Sequence, residues 1–236
     1  MKHAVIVVTS HSDLGQTGRK TGYFLSEVSH PCRILAEAGM EITFASPRGG
    51  KAPVDERSID MSDLDNLWLL DHPQYAAMLE NTRPLGEVLA KEVDVIFFAG
   101  GHGAMWDFPD DRDVIRLSQA VMEKGGIVAA VCHGSSALLN VKDKKGHYLV
   151  AGARVTGFTN LEETLVELDT VVPFLLESKL KERGADFESE TSWLPHVTVD
   201  QRLITGQNPA SARGVAQAIV AVSEGVSHQV QPADFT

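Results

Sequence analysis

Between Gly125 and Asn140 the sequence reads GGIVAAVCHGSSALLN, an apolar run that ends in adjacent Cys132 and His133 before a segment with helical spacing. A thiol at such a strand-to-helix turn lies beside the first free amides of the helix, whose partial positive charge lowers its pKa and favours thiolate. The same amides can hold an oxyanion. The arrangement follows the logic of a nucleophile elbow, with Cys in place of Ser and Gly134 permitting close packing behind it. The hydrolase pattern G-x-S-x-G is absent, because Ala130 stands two residues before Cys132. A buried structural cysteine fits this stretch equally well. Adjacent residues on a helix do not face each other, so a Cys132–His133 side-chain contact requires irregular backbone at the turn.

Two further segments carry groups that such a thiol would need. AGGHGAMWDFPDD, Ala99 to Asp111, places Gly100 and Gly101 at a strand's carboxyl end, where backbone can approach a ligand and an amide can point at the oxygen met by the elbow amide. His102 is the histidine nearest this position. The dinucleotide pattern G-x-G-x-x-G is not met, since Ala104, Met105 and Trp106 follow Gly103. In GYFLSEVSHP, Glu27 borders the apolar stripe of a helix between Phe24 and Val28, where desolvation would raise its pKa and let it share a proton with a neighbouring thiolate. A lone Glu on a solvated helix face is the plainer account. His11, His30, His72 and His147 show no metal-binding spacing, and Cys32, after Pro31, reads as packing.

These groups need elements to hold them. AVIVVTS (Ala4 to Ser10), EITFASP (Glu41 to Pro47), VDVIFFAGG (Val93 to Gly101) and GIVAAVC (Gly126 to Cys132) read as strands covered on both faces. Gly22 to Ala38 and Asp111 to Lys124 read as helices, closed by Gly39 and by Gly125-Gly126. The alternation predicts an α/β fold with a flavodoxin-like, doubly wound, mostly parallel sheet between helices, and sites beyond the carboxyl ends of strands. Asp55 to Arg83 reads as an inserted region of short helices and loops. Beyond Cys132 we expect a strand pair near His147 to Phe158, a helical region from Leu161 to Arg183, a peripheral hairpin over His196 to Gln207 with its turn near Asp200, and a helix capped by Asn208 and opened by Pro209. Residues 1–225 form one domain in this reading, and 226–236 a loose polar tail.

Composition narrows the function classes. A chain of 236 residues, 43% hydrophobic, can bury a sizeable core. Its net charge of -11 disfavours nucleic acid and anionic membrane. Two cysteines make no disulfide framework and imply a reducing, cytoplasmic setting; no segment reads as a signal peptide or membrane span.

Taken together, KTGYFLSEVSHP, GGHGAMWD, AVCHG, the acidic run after GFT and the late NPASA resemble the ThiJ/PfpI superfamily, which shares its fold with class I glutamine amidotransferases. The chain is most similar to the branch of glutathione-independent glyoxalase III and heat-shock chaperone proteins. The resemblance implies Cys132 as nucleophile, His133 beside it, and Glu163 as the acid orienting that histidine, with Glu162 taking its place if the register slips by one. It implies that Glu27 contacts the sulfur and that Gly101 and the His133 amide form the oxyanion hole; by their place in the sequence, Gly100, His102 and Gly134 are the further candidate substrate-binding or oxyanion-binding residues. Many relatives have proline where this chain has Ser135, a departure that bears on substrate preference. The implied activity is conversion of methylglyoxal-type 2-oxoaldehydes to D-lactate-type 2-hydroxy acids, needing no cofactor and no metal. The alternatives are a holdase for unfolded clients, with Trp68, Leu69, Leu70 and Tyr75 as a candidate patch, or a cysteine-dependent deglycase, amidohydrolase or peptidase. The resemblance further implies a homodimer.

Overall fold

In a computed structural model, residues 1–225 are described; the expected polar tail over 226–236 lies outside them. The strands are β1 (His3–Val7), β2 (Glu41–Ser46), β3 (Arg83–Pro84), β4 (Val95–Phe98), β5 (Ile127–Val131), β6 (Arg154–Val155), β7 (Asp186–Phe187), β8 (Val197–Asp200) and β9 (Leu203–Gly206). The helices are α1 (Ser26–Glu37), α2 (Leu64–Asp71), α3 (Pro73–Glu80), α4 (Ala104–Asp107), α5 (Arg112–Glu123), α6 (Asn160–Leu165), α7 (Leu176–Glu182) and α8 (Ala212–Ser223). Among the described residues no helix is long and apolar enough to cross a membrane.

Seven strands form one sheet in the order β3-β2-β1-β4-β5-β9-β8, parallel except where β8 runs against β9. The continuous apolar runs are explained by burial of both faces: β4 and β5 are buried at every residue. Helix α1 packs against α2 and α8, while α5 lies on β4 and β5 and against the segment that follows Val131. Chain order reverses between β1 and β4, so the loops after β1, β4 and β5 open together at the carboxyl edge.

The inserted region forms α2 and α3 after a 3-10 turn at Glu56–Ser58. Because α2 lies against α1, Leu69 is fully buried and Trp68 and Tyr75 pack on the core, leaving only Leu70 of the suggested patch exposed, at 39%. The hairpin extends the main sheet at its edge, with Gln201 in the left-handed region at the turn. Two expectations change. The strand pair near His147 to Phe158 is replaced by β6 pairing in parallel with distant β7, plus a single bridge between Lys142 and Tyr148; left-handed glycines at 146 and 152 keep this stretch in turns. The helical region from Leu161 is two short helices, α6 and α7, parted where Glu167 turns left-handed and Pro173 denies a helical amide.

One close approach holds the elbow in place. A Cβ on Gly134 would lie 2.2 Å from the Phe98 carbonyl oxygen at the end of β4. The rigid sheet cannot yield there, so Gly134→Ala should cost about 3 kcal/mol or more of stability, measured by urea unfolding; a loss under 1 kcal/mol would contradict this packing.

Candidate active site

Cys132 sits directly after β5 with φ of 56°, a left-handed conformation that is strained for a side-chain-bearing residue. This kink turns the chain back into a helix of 3-10 type, Cys132–Leu138, at the place where helical spacing begins in the sequence. It also solves the problem of adjacent side chains, because Cys132 Sγ and His133 Nδ1 approach to 3.3 Å. The opposite ring nitrogen, His133 Nε2, lies 2.7 Å from Glu163 Oε2. A carboxylate only accepts, so His133 donates from Nε2 and turns the lone pair of Nδ1 toward the sulfur.

Glu163 is supplied by α6, which begins at a capping box formed by Thr159 and Glu162. The neighbouring acids are therefore sharply divided. Glu162 Oε1 accepts from the Trp193 amide, Gln207 Nε2 and Asn208 Nδ2, and its Oε2 accepts from the Thr159 amide and hydroxyl. It is a buried tie between segments, while Glu163 faces the imidazoles. His102 Nε2 meets the other Glu163 oxygen, Oε1, at 2.9 Å, and the rings of His102 and His133 lie 4.1 Å apart. Burial pushes Glu163 upward, but the His133 and His102 imidazoles outweigh it and hold the carboxyl well below the usual range. His102 is pushed down to about 4, by burial and then by His133 beside it, and is neutral.

Glu27, from the first turn of α1, is wholly buried and accepts the Gly100 amide at 2.7 Å through Oε2. Its Oε1 has no hydrogen-bond partner of good geometry. Burial pushes Glu27 up to about 8 against the opposing pull of Cys132 and the Gly100 amide. Burial and the Glu27 charge likewise push the Cys132 thiol well above its ordinary value, with the His133 amide at the sulfur pulling the other way. This corrects the expectation of a thiol lowered by helix amides: in a dry site beside a carboxyl, charge on the sulfur is opposed more strongly than one amide favours it. Glu27 and the sulfur are buried side by side, each among the causes that set the other's pKa.

The glycines divide by task. Gly101, with φ of 100°, lines the cavity and its amide makes no hydrogen bond to a described residue. Gly100 cannot offer an oxyanion donor, as its amide is held by Glu27, and Gly134 is packed against Phe98 away from the cavity lining. The hydroxyl of Ser135 turns away to donate to the Thr156 carbonyl, so this departure does not shape the pocket.

The cavity above the sulfur measures about 320 Å³ and is lined chiefly by Phe24, Phe158, Val166, Trp193 and Pro209, with His102, His133 and Arg57 as its polar wall. Arg57 is bound through two nitrogens to buried Asp55, at 2.9 and 2.6 Å. Sequence reasoning did not single out Arg57, Phe158 or Trp193. Phe158 stands within the GFT run, but no local pattern marks Trp193, which the Glu162 tie brings in from 31 residues away. His102, His133 and Glu163 converge closely, yet their mutual hydrogen bonds occupy the atoms a cation would need, and we assign no metal to them.

The sequence model of the DJ-1/PfpI family matches residues 20–222. The chain belongs to that family. Within the DJ-1/PfpI proteins it is 32% identical over 230 residues to a glutathione-independent glyoxalase of Saccharomyces cerevisiae, covering 91% of this chain and 95% of the relative. The crystal structure of glyoxalase III from Candida albicans superposes with a TM-score of 0.85 at 28% identity, covering 94% of this chain and 97% of that one. The Rapid Encystment Protein 24 kDa of Francisella tularensis superposes with a TM-score of 0.91 at 40% identity, covering 94% and 99%.

The Glu27 environment has a measurable sign. A carboxyl whose folded pKa is raised from 4.5 to about 8 contributes stability that is complete below pH 4.5 and is lost as pH rises through 8. Glu27→Gln, which keeps an acceptor for Gly100, should remove this slope. Urea unfolding of both proteins at intervals from pH 4.5 to 8.5 should show the wild type losing a few kcal/mol relative to the variant, at up to about 1.4 kcal/mol per pH unit. Parallel curves would refute the raised pKa.

Proposed function

We propose that this chain is a glutathione-independent glyoxalase that converts 2-oxoaldehydes such as methylglyoxal to 2-hydroxy acids such as D-lactate. The observation that carries the reading is the pairing of the Cys132 thiol with a buried carboxyl, Glu27, poised near neutral pH. The named activities of the yeast relatives support it.

Each group answers a chemical need. His133 Nδ1 takes the thiol proton as sulfur bonds to the aldehyde carbon, and Glu163 opposes the imidazolium charge. The amides of Gly101 and His133 receive the oxyanion. Glu27 gives its proton to that oxyanion and, now a carboxylate, removes the hydrogen from the former aldehyde carbon and returns it to the neighbouring carbonyl carbon by way of an enediolate. Meanwhile His133 passes the thiol proton to the oxygen of that second carbon, and the first hydroxyl's proton goes back to Glu27. A base with pKa near the working pH both accepts and returns a proton readily. The first carbon is oxidised and the second reduced, so no external oxidant is needed. Water finally releases the hydroxy acid from the thioester and restores the thiol. Amide hydrolysis would use the same nucleophile, but it has no carbon-to-carbon proton transfer to employ a neutral-range carboxyl beside sulfur.

Purified protein supplied with methylglyoxal and no glutathione should form D-lactate, measured enzymatically. Cys132→Ala should abolish the reaction, and Glu27→Gln should slow it by roughly 10²- to 10⁴-fold while leaving the thiol open to alkylation. Lactate formation that survives in Cys132→Ala would overturn the covalent route.

A further inference from the structure

One imidazole takes no part in forming the carbon–sulfur bond or in moving the carbon-bound proton. We propose that His102 is a second catalytic base of this site, acting through Nδ1 on the water that releases the hydroxy acid from Cys132. The proposal rests on the glyoxalase reading of the site.

The geometry divides the labour between two rings that share one carboxylate. Glu163 accepts from Nε2 of both, so each neutral imidazole keeps its lone pair on Nδ1. His133 Nδ1 faces the sulfur at 3.3 Å, and the ring is sandwiched between His102 at 4.1 Å and Phe158 at 4.3 Å, with its side chain only 1% exposed. His102 differs. Its side chain is 11% exposed and lines the cavity, and among the described residues Nδ1 has no hydrogen-bond partner, though it is not sealed from solvent. A fixed imidazole in the cavity wall with an unpartnered lone pair can take a proton from water there. Burial and a charged His133 hold His102 down at about 4, but His133 is neutral in this half of the reaction and Glu163 favours the charged ring. Gly101, immediately before it, keeps the oxyanion amide and the base on one loop.

The step balances without redox chemistry. Water oxygen bonds to the thioester carbon as one water proton passes to His102 Nδ1, and Glu163 opposes the new charge. The tetrahedral oxyanion collapses, the carbon–sulfur bond breaks, and its electron pair leaves on sulfur. The proton on His102 returns through cavity water to the Cys132 and Glu27 pair. Because one carboxylate serves both rings, the imidazolium resides on His133 in the first half-reaction and on His102 in the second.

His102→Gln keeps an amide donor toward Glu163 but has no basic atom. The variant and wild type would each be mixed with methylglyoxal and freed of unreacted aldehyde by rapid gel filtration, and decay of the Cys132 thioester followed by trapping as the hydroxamate with hydroxylamine. The variant should form the acyl-enzyme at a near wild-type rate and hydrolyse it about 100-fold more slowly, with hydroxylamine discharging it readily. His102→Asn should behave alike and serves if the first variant folds poorly. Acyl-enzyme formation and decay slowed to the same extent, or decay unchanged, would overturn the proposal. Wild type that forms neither D-lactate nor a trappable thioester would instead overturn the glyoxalase reading itself.

Discussion

Two acids in one dry place cannot both ionise, and the rest of this site follows from that constraint. Glu27 and Cys132 are buried together at the carboxyl edge of β4 and β5, where exclusion of water raises the cost of charge on both and the Glu27 charge raises it further on the sulfur. The pair therefore holds its protons until another group draws one away. Among the described residues only His133 is within reach of the sulfur with a free lone pair, and it can accept because Glu163 stands behind it already ionised.

Holding this arrangement requires backbone to pass where side chains cannot. Gly100 must be glycine, because a Cβ there would meet Glu27 Oε2 at 2.4 Å and the Val131 carbonyl at 2.7 Å. Its amide fixes the carboxyl from one side, while the left-handed kink at Cys132 brings the sulfur to the other. The two imidazoles are fixed differently, by a carboxylate on α6 whose own start is tied down by buried Glu162. Loss of that tie would release Trp193 from the cavity and loosen the orientation of Glu163 together, which is why an acid with no contact to the sulfur is nonetheless buried with every oxygen paired.

The alternation of strands and helices, the elbow after Val131 and the helix bearing Glu27 were legible because they rest on local patterns: continuous apolar runs for β1, β2, β4 and β5, a turn at Cys132-His133-Gly134, and a carboxyl beside an apolar stripe. The resemblance to known motifs added Glu163, and capping chemistry then separated it from Glu162. What was not legible depended on distant partners. The stretch from His147 to Phe158 pairs with residues more than 30 positions away, and no local periodicity announces such a two-residue parallel ladder. Gly100 was read as an oxyanion donor, yet its amide is already spent on a residue 73 positions earlier.

By itself the sequence determined the covering of both sheet faces, the strand-to-turn transition that places a cysteine at an element's end, and the set of acids and histidines available. Tertiary structure alone decided their protonation. A pKa depends on water excluded and on charges brought near from elsewhere in the chain, so the thiol expected to be lowered by local amides is raised by burial and by Glu27. The same holds for His102, which in sequence is one residue of a glycine-rich turn. Only the approach of Glu163, 61 residues later, fixes its tautomer and leaves the lone pair on Nδ1 of a residue that lines the cavity.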